Sequence, residues 1–142
     1  MTRAVIDTNH LIRIAAGGNR SDLFQAWQAG RFEVVMSLAT MTELRQVLAR
    51  PRIQRLVSLA AGSAFCDLLE RKATWVQPDL SAPQCRDPQD SSLIASAVGG
   101  QADYLVSADP DLLDDSALMA ALSARGVRLM PAFEFRRVIA TG

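Results

Sequence analysis

The sequence predicts a three-layer α/β/α sandwich on a mainly parallel central sheet of about five strands. Short apolar or β-branched runs alternate with stretches whose apolar residues recur at helical spacing, and such alternation implies right-handed crossovers and a sheet covered on both faces. A chain of 142 residues, 49% of them hydrophobic, can bury about two-thirds of its unfolded surface in one core. With 21% of its residues charged, it is also too apolar to stay disordered. No repeat, low-complexity tract or linker composition divides it, so residues 1–142 are expected to form one domain.

The elements follow in order. Ala4-Val5-Ile6 reads as a strand ending at Asp7, and Leu11, Ile12 and Ala15 then mark a helix that stops at Gly17-Gly18. Ser21 opens a second helix carrying Leu23, Phe24 and Trp27, closed by Gly30, and Phe32 to Met36 is a buried strand. From Ser37 the pattern is helical through Leu44, Val47 and Leu48 until Pro51. A further helical region holds Ile53 to Leu59, weakens at Gly62 and resumes through Phe65 and Leu69 to Lys72. Thr74-Trp75-Val76 is the third strand, and Pro78 to Arg86 a surface loop. Asp87-Pro88 opens a helix with Leu93, Ile94, Ala97 and Val98 on its apolar stripe and Gly99-Gly100 as its stop. Tyr104-Leu105-Val106 is the fourth strand. A polar turn from Ser107 to Asp111 leads to a short helix near Ser116 to Ala124, Val127 to Met130 is the fifth strand, and Ala132 to Ala140 a closing helix.

Composition removes several function classes. No apolar run approaches the roughly 20 residues of a membrane span, and the first residues lack the apolar core of a signal peptide, so a cytoplasmic protein without membrane association is expected. Cys66 and Cys85, with no CxxC, supply neither a disulfide framework nor a zinc knuckle. Fifteen basic and fifteen acidic residues cancel, so contact with a polyanion has to be local. Lys72 is the single lysine among the fifteen basic residues. The arginines suit bidentate phosphate contacts, and a codon bias explains the same composition.

Ligands in parallel sheets bind beyond the carboxyl ends of the strands, and those ends are acidic here. Asp7 ends the first strand, Glu43 follows the second, Asp87 and Asp90 start the helix before the fourth, and Asp109 and Asp111 come after it. Each has a local structural reading. Asp7 can turn the chain into a helix, Thr40-x-x-Glu43 fits a capping box, Asp87-Pro88 fits an N-cap, and Asp109-Pro110 makes a turn. Together they are harder to explain that way. Two carboxylates about 4 Å apart repel by roughly 4 kcal/mol at an effective dielectric near 20, so several converging ones call for a cation or a proton among them. With no HxxH or cysteine cluster the donors are hard oxygens, which suit magnesium or manganese and hence phosphate chemistry.

Four stretches carry a resemblance to a known family. Val5-Ile6-Asp7-Thr8-Asn9, Met41-Thr42-Glu43-Leu44, Arg86-Asp87-Pro88-Gln89-Asp90 and Ala102-Asp103-Tyr104-Leu105-Val106-Ser107-Ala108-Asp109 resemble the successive motifs of a PIN domain. Single-domain members of this size are typically VapC-like ribonuclease toxins of toxin–antitoxin pairs. The resemblance implies a magnesium- or manganese-dependent RNase with Asp7, Glu43, Asp90 and Asp109 as catalytic acids. Asp90 takes the family position because Leu93, Ile94, Ala95 and Ala97 follow it as the usual small-residue helix. Asp7, Asp90 and Asp109 would hold one or two ions, with Asp87 as an extra acid and Asp111 at a less constant acidic position. Glu43 would orient or deprotonate the attacking water, or ligate the metal itself.

Asn9 would hold Asp7 or a substrate phosphate and Ser107 a phosphate or metal-bound water, although either side chain also suits a local turn bond. Ser107 stands where the family commonly has threonine, and His10 where it usually has an aliphatic residue. As a lone histidine after a turn, His10 is read as packed or surface rather than as a base. Among the basic residues near the acids, Arg13, Arg45 and Arg86, the last two are the substrate-contact candidates. A receiver domain or haloacid-dehalogenase-like phosphatase is disfavoured because both need a lysine after a late strand, and the phosphatase an aspartate at position 9. The remaining alternative is a catalytically inactive PIN-like module that binds RNA or protein. The resemblance also implies an antitoxin partner and a homodimer, with the helical hairpin from Leu44 to Leu69 rich enough in apolar residues to serve as a partner face.

Overall fold

Ala4 and Ile6 of the first strand belong to one hydrophobic cluster and Val5 to another, and the same division runs through the central strands. In the computed structural model, which describes residues 1–85 and 87–141, β1 (Arg3–Ile6) leads to α1 (Thr8–Gly17), a single 3-10 turn (Gly18–Arg20) and α2 (Asp22–Gln28). Next come β2 (Glu33–Met36), α3 (Leu38–Leu48), α4 (Pro51–Gln54), α5 (Leu59–Lys72) and β3 (Thr74–Trp75). The chain continues through α6 (Pro88–Gly99), β4 (Tyr104–Val106), α7 (Pro110–Leu113), α8 (Ser116–Ala124), β5 (Arg128–Met130) and α9 (Ala132–Thr141).

The described strands form one sheet in the order β3-β2-β1-β4-β5 with every pairing parallel. Strand side chains alternate in direction, so one face carries Ile6, Met36, Val106 and Met130 under α1, α2, α3, α5 and α9. The opposite face carries Val5, Val35, Leu105 and Leu129 under α6, α7 and α8. This is the three-layer α/β/α architecture expected from the alternation. Among the described residues no helix is long and apolar enough to cross a membrane.

Three local details differ from the sequence reading. Gly62 does not weaken a helix; it lies inside α5, where a Cβ would meet Leu48 and Val57 at 3.6 and 3.7 Å, ordinary van der Waals contact. The interruption falls instead between α4 and α5, where Ser58 caps α5 by accepting from the Ala61 amide. The polar turn after β4 contains the short helix α7, capped by Asp109.

The third difference is at the end of α6. Gln101, not a glycine, takes the left-handed conformation, with φ +51°. The Gln101 amide donates to the Val98 carbonyl and the Ala102 amide to the Ala97 carbonyl, the two bonds of a Schellman motif. Gly99 and Gly100 serve close packing. A Cβ on Gly99 would stand 2.0 Å from the Gln77 carbonyl oxygen, and one on Gly100 would stand 2.9 Å from the Val76 side chain. The expected outcomes are opposite in sign. Gly99→Ala destabilises by about 1–3 kcal/mol through overpacking. Gln101→Gly stabilises by roughly 0.5 kcal/mol, because relief of the left-handed strain outweighs the added chain entropy. Urea denaturation of the two variants measures both.

Candidate active site

The order of the sheet sets where a site can form. From β1 the chain moves outward to β2 and β3, then crosses back to place β4 against the other edge of β1. That reversal leaves a crevice beyond the carboxyl ends of β1 and β4, the usual ligand position of an open parallel sheet. The residues that follow those two strands are Asp7 and Ser107.

Asp7 ties the two ends together. Its amide donates to the Val106 carbonyl at 3.0 Å. Its Oδ1 accepts from the His10 amide at 2.9 Å, capping α1. Its Oδ2 accepts from the Ser107 hydroxyl at 2.8 Å and the Ala108 amide at 3.3 Å. The Ser107 hydroxyl accepts in turn from the Asp109 amide at 3.1 Å, and Asp109 Oδ1 caps α7 by accepting from the Asp111 amide at 2.9 Å. The local readings of Asp7 and Asp109 as caps therefore hold, and both carboxylates still line the cleft.

Two further acids reach it from opposite helices. The capping box of α3 is made by Ser37 and Thr40, not by Thr40 and Glu43, so Glu43 is released from that duty and faces the cleft. Ser37 Oγ lies 2.8 Å from Ser96 Oγ on α6, a buried contact that fixes α6 against the start of α3. Asp90, in the first turn of α6, is thereby brought to the same cleft, which has a volume of about 460 Å³ and is lined also by Asn9, Asp87, Arg13 and Arg50.

The acids strain one another. Burial, then a hydrogen bond with Asp109 and the charges of Asp109, Asp87 and Asp7, push the Asp90 carboxyl up to about 7. Burial also raises Glu43, helped by Asp87 and Asp7 and opposed by a Thr8 hydrogen bond and by Arg50. Among the described residues, Glu43 Oε2 and Asp90 Oδ2 are buried without a hydrogen-bond partner. His10 is 8% exposed and its ring Nε2 is similarly unpartnered. Burial lowers its pKa, against the pull of Asp7 and with the help of Arg13 and Arg136. A neutral, packed imidazole fits the sequence reading of His10.

The other candidates fall in different places. Asp111 is exposed and lines a neighbouring depression of about 420 Å³ that shares Asp87 and Asp90 with the cleft. Arg45 does not line the cleft; it is ion-paired with Glu70 on α5 and borders a separate pocket. Arg86 lies outside the described residues. Sequence reasoning missed Arg50 and the Thr8 hydroxyl. Glu43 and Val47 stand at i and i+4 on one face of α3, Arg50 follows the end of that helix as the residue before α4, and Arg45 at i+2 points to the other side.

Among the described residues no group of three or more acidic, histidine or cysteine side chains is already arranged to hold an ion. The donor chemistry nevertheless fits a hard dication: carboxylates from four different elements converge, and Glu43 and Asp90 each present a buried oxygen with no donor of its own. Asp7, Asp90 and Asp109 are the residues that would hold it, with Asp87 beside them.

The raised Asp90 pKa fixes the sign of a pH dependence. An acid with a higher pKa folded than unfolded keeps its proton preferentially in the native state, so its contribution to stability declines as pH rises from about 4 to about 7. In metal-free buffer, the Asp90→Asn variant is expected to gain melting temperature relative to the unsubstituted chain across that window. The gain should be smallest near pH 4 and level above pH 7; paired thermal melts measure it, and a difference independent of pH contradicts the assignment.

Comparison with known proteins bears on this site. The PIN domain family, whose members are generally nucleases, matches residues 3–111. No curated protein matches the chain. The fold is similar to the crystal structure of PAE2754 from Pyrobaculum aerophilum, with a TM-score of 0.61 at 17% sequence identity over 99% of this chain and 91% of that chain. With the family match spanning most of the chain and the acids of its motifs gathered at one strand-end crevice, this protein belongs to the PIN domain family.

Proposed function

We propose that the chain is a magnesium- or manganese-dependent ribonuclease, the toxin of a type II toxin–antitoxin pair, which hydrolyses RNA phosphodiester bonds in the carboxylate cleft. The observation that carries this reading is the convergence of Asp7, Glu43, Asp90 and Asp109 in one cleft, two of them with unpartnered buried oxygens. A dication bound there would supply Lewis-acid stabilisation of the phosphate and lower the pKa of a water.

The chain's own residues have distinct tasks. Asp7 is pre-oriented by the Ser107 hydroxyl and by two backbone amides, so its carboxylate needs little reorganisation on binding a cation. Glu43 has a pKa raised by burial, which suits a group that accepts a proton from water near neutral pH. Asp90, near 7, gives up its proton when positive charge enters. Arg13 and Arg50 supply the local positive charge that lets an RNA phosphate approach so many carboxylates. A partner face, for the antitoxin or for a second copy of the chain, is supported by Leu56 and Leu59, 66% and 67% exposed beside α5.

Purified protein with Mg²⁺ or Mn²⁺ is expected to cleave RNA, and EDTA to stop it. Asp7→Asn and Asp109→Asn should each lower kcat by more than the roughly 10–100-fold typical of losing an outer contact. Ser107→Ala, which leaves Asp7 in place but unheld by the hydroxyl, should fall within that range. Cleavage that survives both aspartate substitutions overturns the mechanism, and RNA binding without any cleavage indicates the inactive module.

A further inference from the structure

A groove of about 860 Å³ adjoins the carboxylate cleft, with Glu43 forming a wall of both. Its apolar lining includes Leu38, Trp75 and Pro78, and its polar lining Thr42, Gln46 and Gln77. Leu38 is 78% exposed and Trp75 42%. Trp75 lies on the edge strand β3, where its partly exposed indole is open to a ligand. Its ring is also held in place: Trp75 Nε1 donates to the Glu70 carbonyl at 3.2 Å. That bond satisfies the polar end of the ring, so what the indole offers the groove is apolar and aromatic.

We propose that this groove seats an unpaired nucleobase of the RNA strand whose phosphate enters the carboxylate cleft, with Trp75 as the stacking platform. The inference rests on the ribonuclease reading and deepens it, because it makes single-stranded RNA the substrate. Three features favour a base over an apolar protein segment. The groove and the cleft share Glu43 in their linings, so a strand that places a phosphate in the cleft runs beside the groove. The platform is a fixed aromatic face, to which any base can stack. The exposed Gln46 and Gln77 amides each offer both a donor and an acceptor to a base edge.

Trp75 also provides its own reporter, since the chain has two tryptophans and Trp27 is only 3% exposed. The test uses the full chain carrying Asp109→Asn, to prevent cleavage, with short single-stranded RNA, the same-length abasic ribose-phosphate strand and duplex RNA as probes. Single-stranded RNA is expected to quench the tryptophan fluorescence, the abasic and duplex probes to quench little, and Trp75→Phe to remove the quenching while retaining binding. Trp75→Leu, which keeps an apolar side chain but no ring face, should weaken single-strand binding roughly 10-fold. In the active chain Trp75→Leu should raise KM far more than it lowers kcat.

Equal affinity of Trp75→Leu and the unsubstituted chain for single-stranded RNA overturns the proposal. So does a shift of oligomeric state on Trp75→Leu with RNA affinity unchanged, which assigns the groove to a protein contact. Cleavage by the active chain with a KM indifferent to Trp75 removes the base subsite and leaves the nuclease reading standing. Absence of cleavage with Trp75-dependent quenching retained removes the nuclease reading and supports the stacking platform.

Discussion

Asp7 is a carboxylate that is 7% exposed, and everything at the strand ends depends on how its charge is held. Three donors from two different strand-to-helix connections meet it: the His10 amide from its own helix, and the Ser107 hydroxyl and Ala108 amide from the segment after β4. Hydrogen bonds to an ionised acceptor are roughly twice as strong as neutral ones. The same bonds that stabilise the charge also lock the end of β1 to the end of β4, where the sheet order reverses. The electrostatic requirement of one residue and the geometry of the crevice are thus satisfied by a single set of contacts.

The remaining acids are not provided for in this way. Asp90 lies in the first turn of α6, where a helix dipole favours negative charge, yet its pKa rises to about 7. Burial and the neighbouring Asp109, Asp87 and Asp7 outweigh the dipole, as they must when several carboxylates share one cleft and each pair repels by about 4 kcal/mol at 4 Å. Glu43 is raised for the same reason, although Thr8 and Arg50 offset part of it. A fold selected for stability alone would replace Asp90 with a neutral side chain of the same shape. In the metal-free fold Asp90 therefore costs stability that such a side chain would not.

The architecture was legible because it follows from alternation, which is a property of neighbouring residues. Five strands fall where short apolar runs stand, and Asp7 and Asp109 are legible because a residue just past the end of a strand needs little tertiary information to be placed. What the sequence hid depended on contacts between distant segments. Gly99 and Gly100 look like a helix stop, and only the approach of Gln77 and Val76 shows that they are spaces. Thr40-x-x-Glu43 matches a capping box, but Ser37 competes for the same amide and wins, since it stands at the true N-cap. Arg45 is nearer to Glu43 in sequence than Arg50 is, yet two residues along a helix turn a side chain to the far side, while Arg50, past the end of α3, lines the cleft.

That periodicity explains how α3 divides the surface. Leu38, Thr42 and Gln46, spaced by four, line the apolar groove; Glu43 and Val47 line the carboxylate cleft; Met41, Leu44 and Leu48 enter the core. Three stripes at different angles around one helix serve three environments, and Glu43 sits where two of them meet. A helix packed this firmly cannot rotate to favour one stripe without exposing Leu44, which is fully buried. The spacing between groove and cleft is therefore set by the helix itself rather than by a loop. Because Glu43 belongs to that helix and lines both surfaces, the buried core under Leu44 holds their common wall in place.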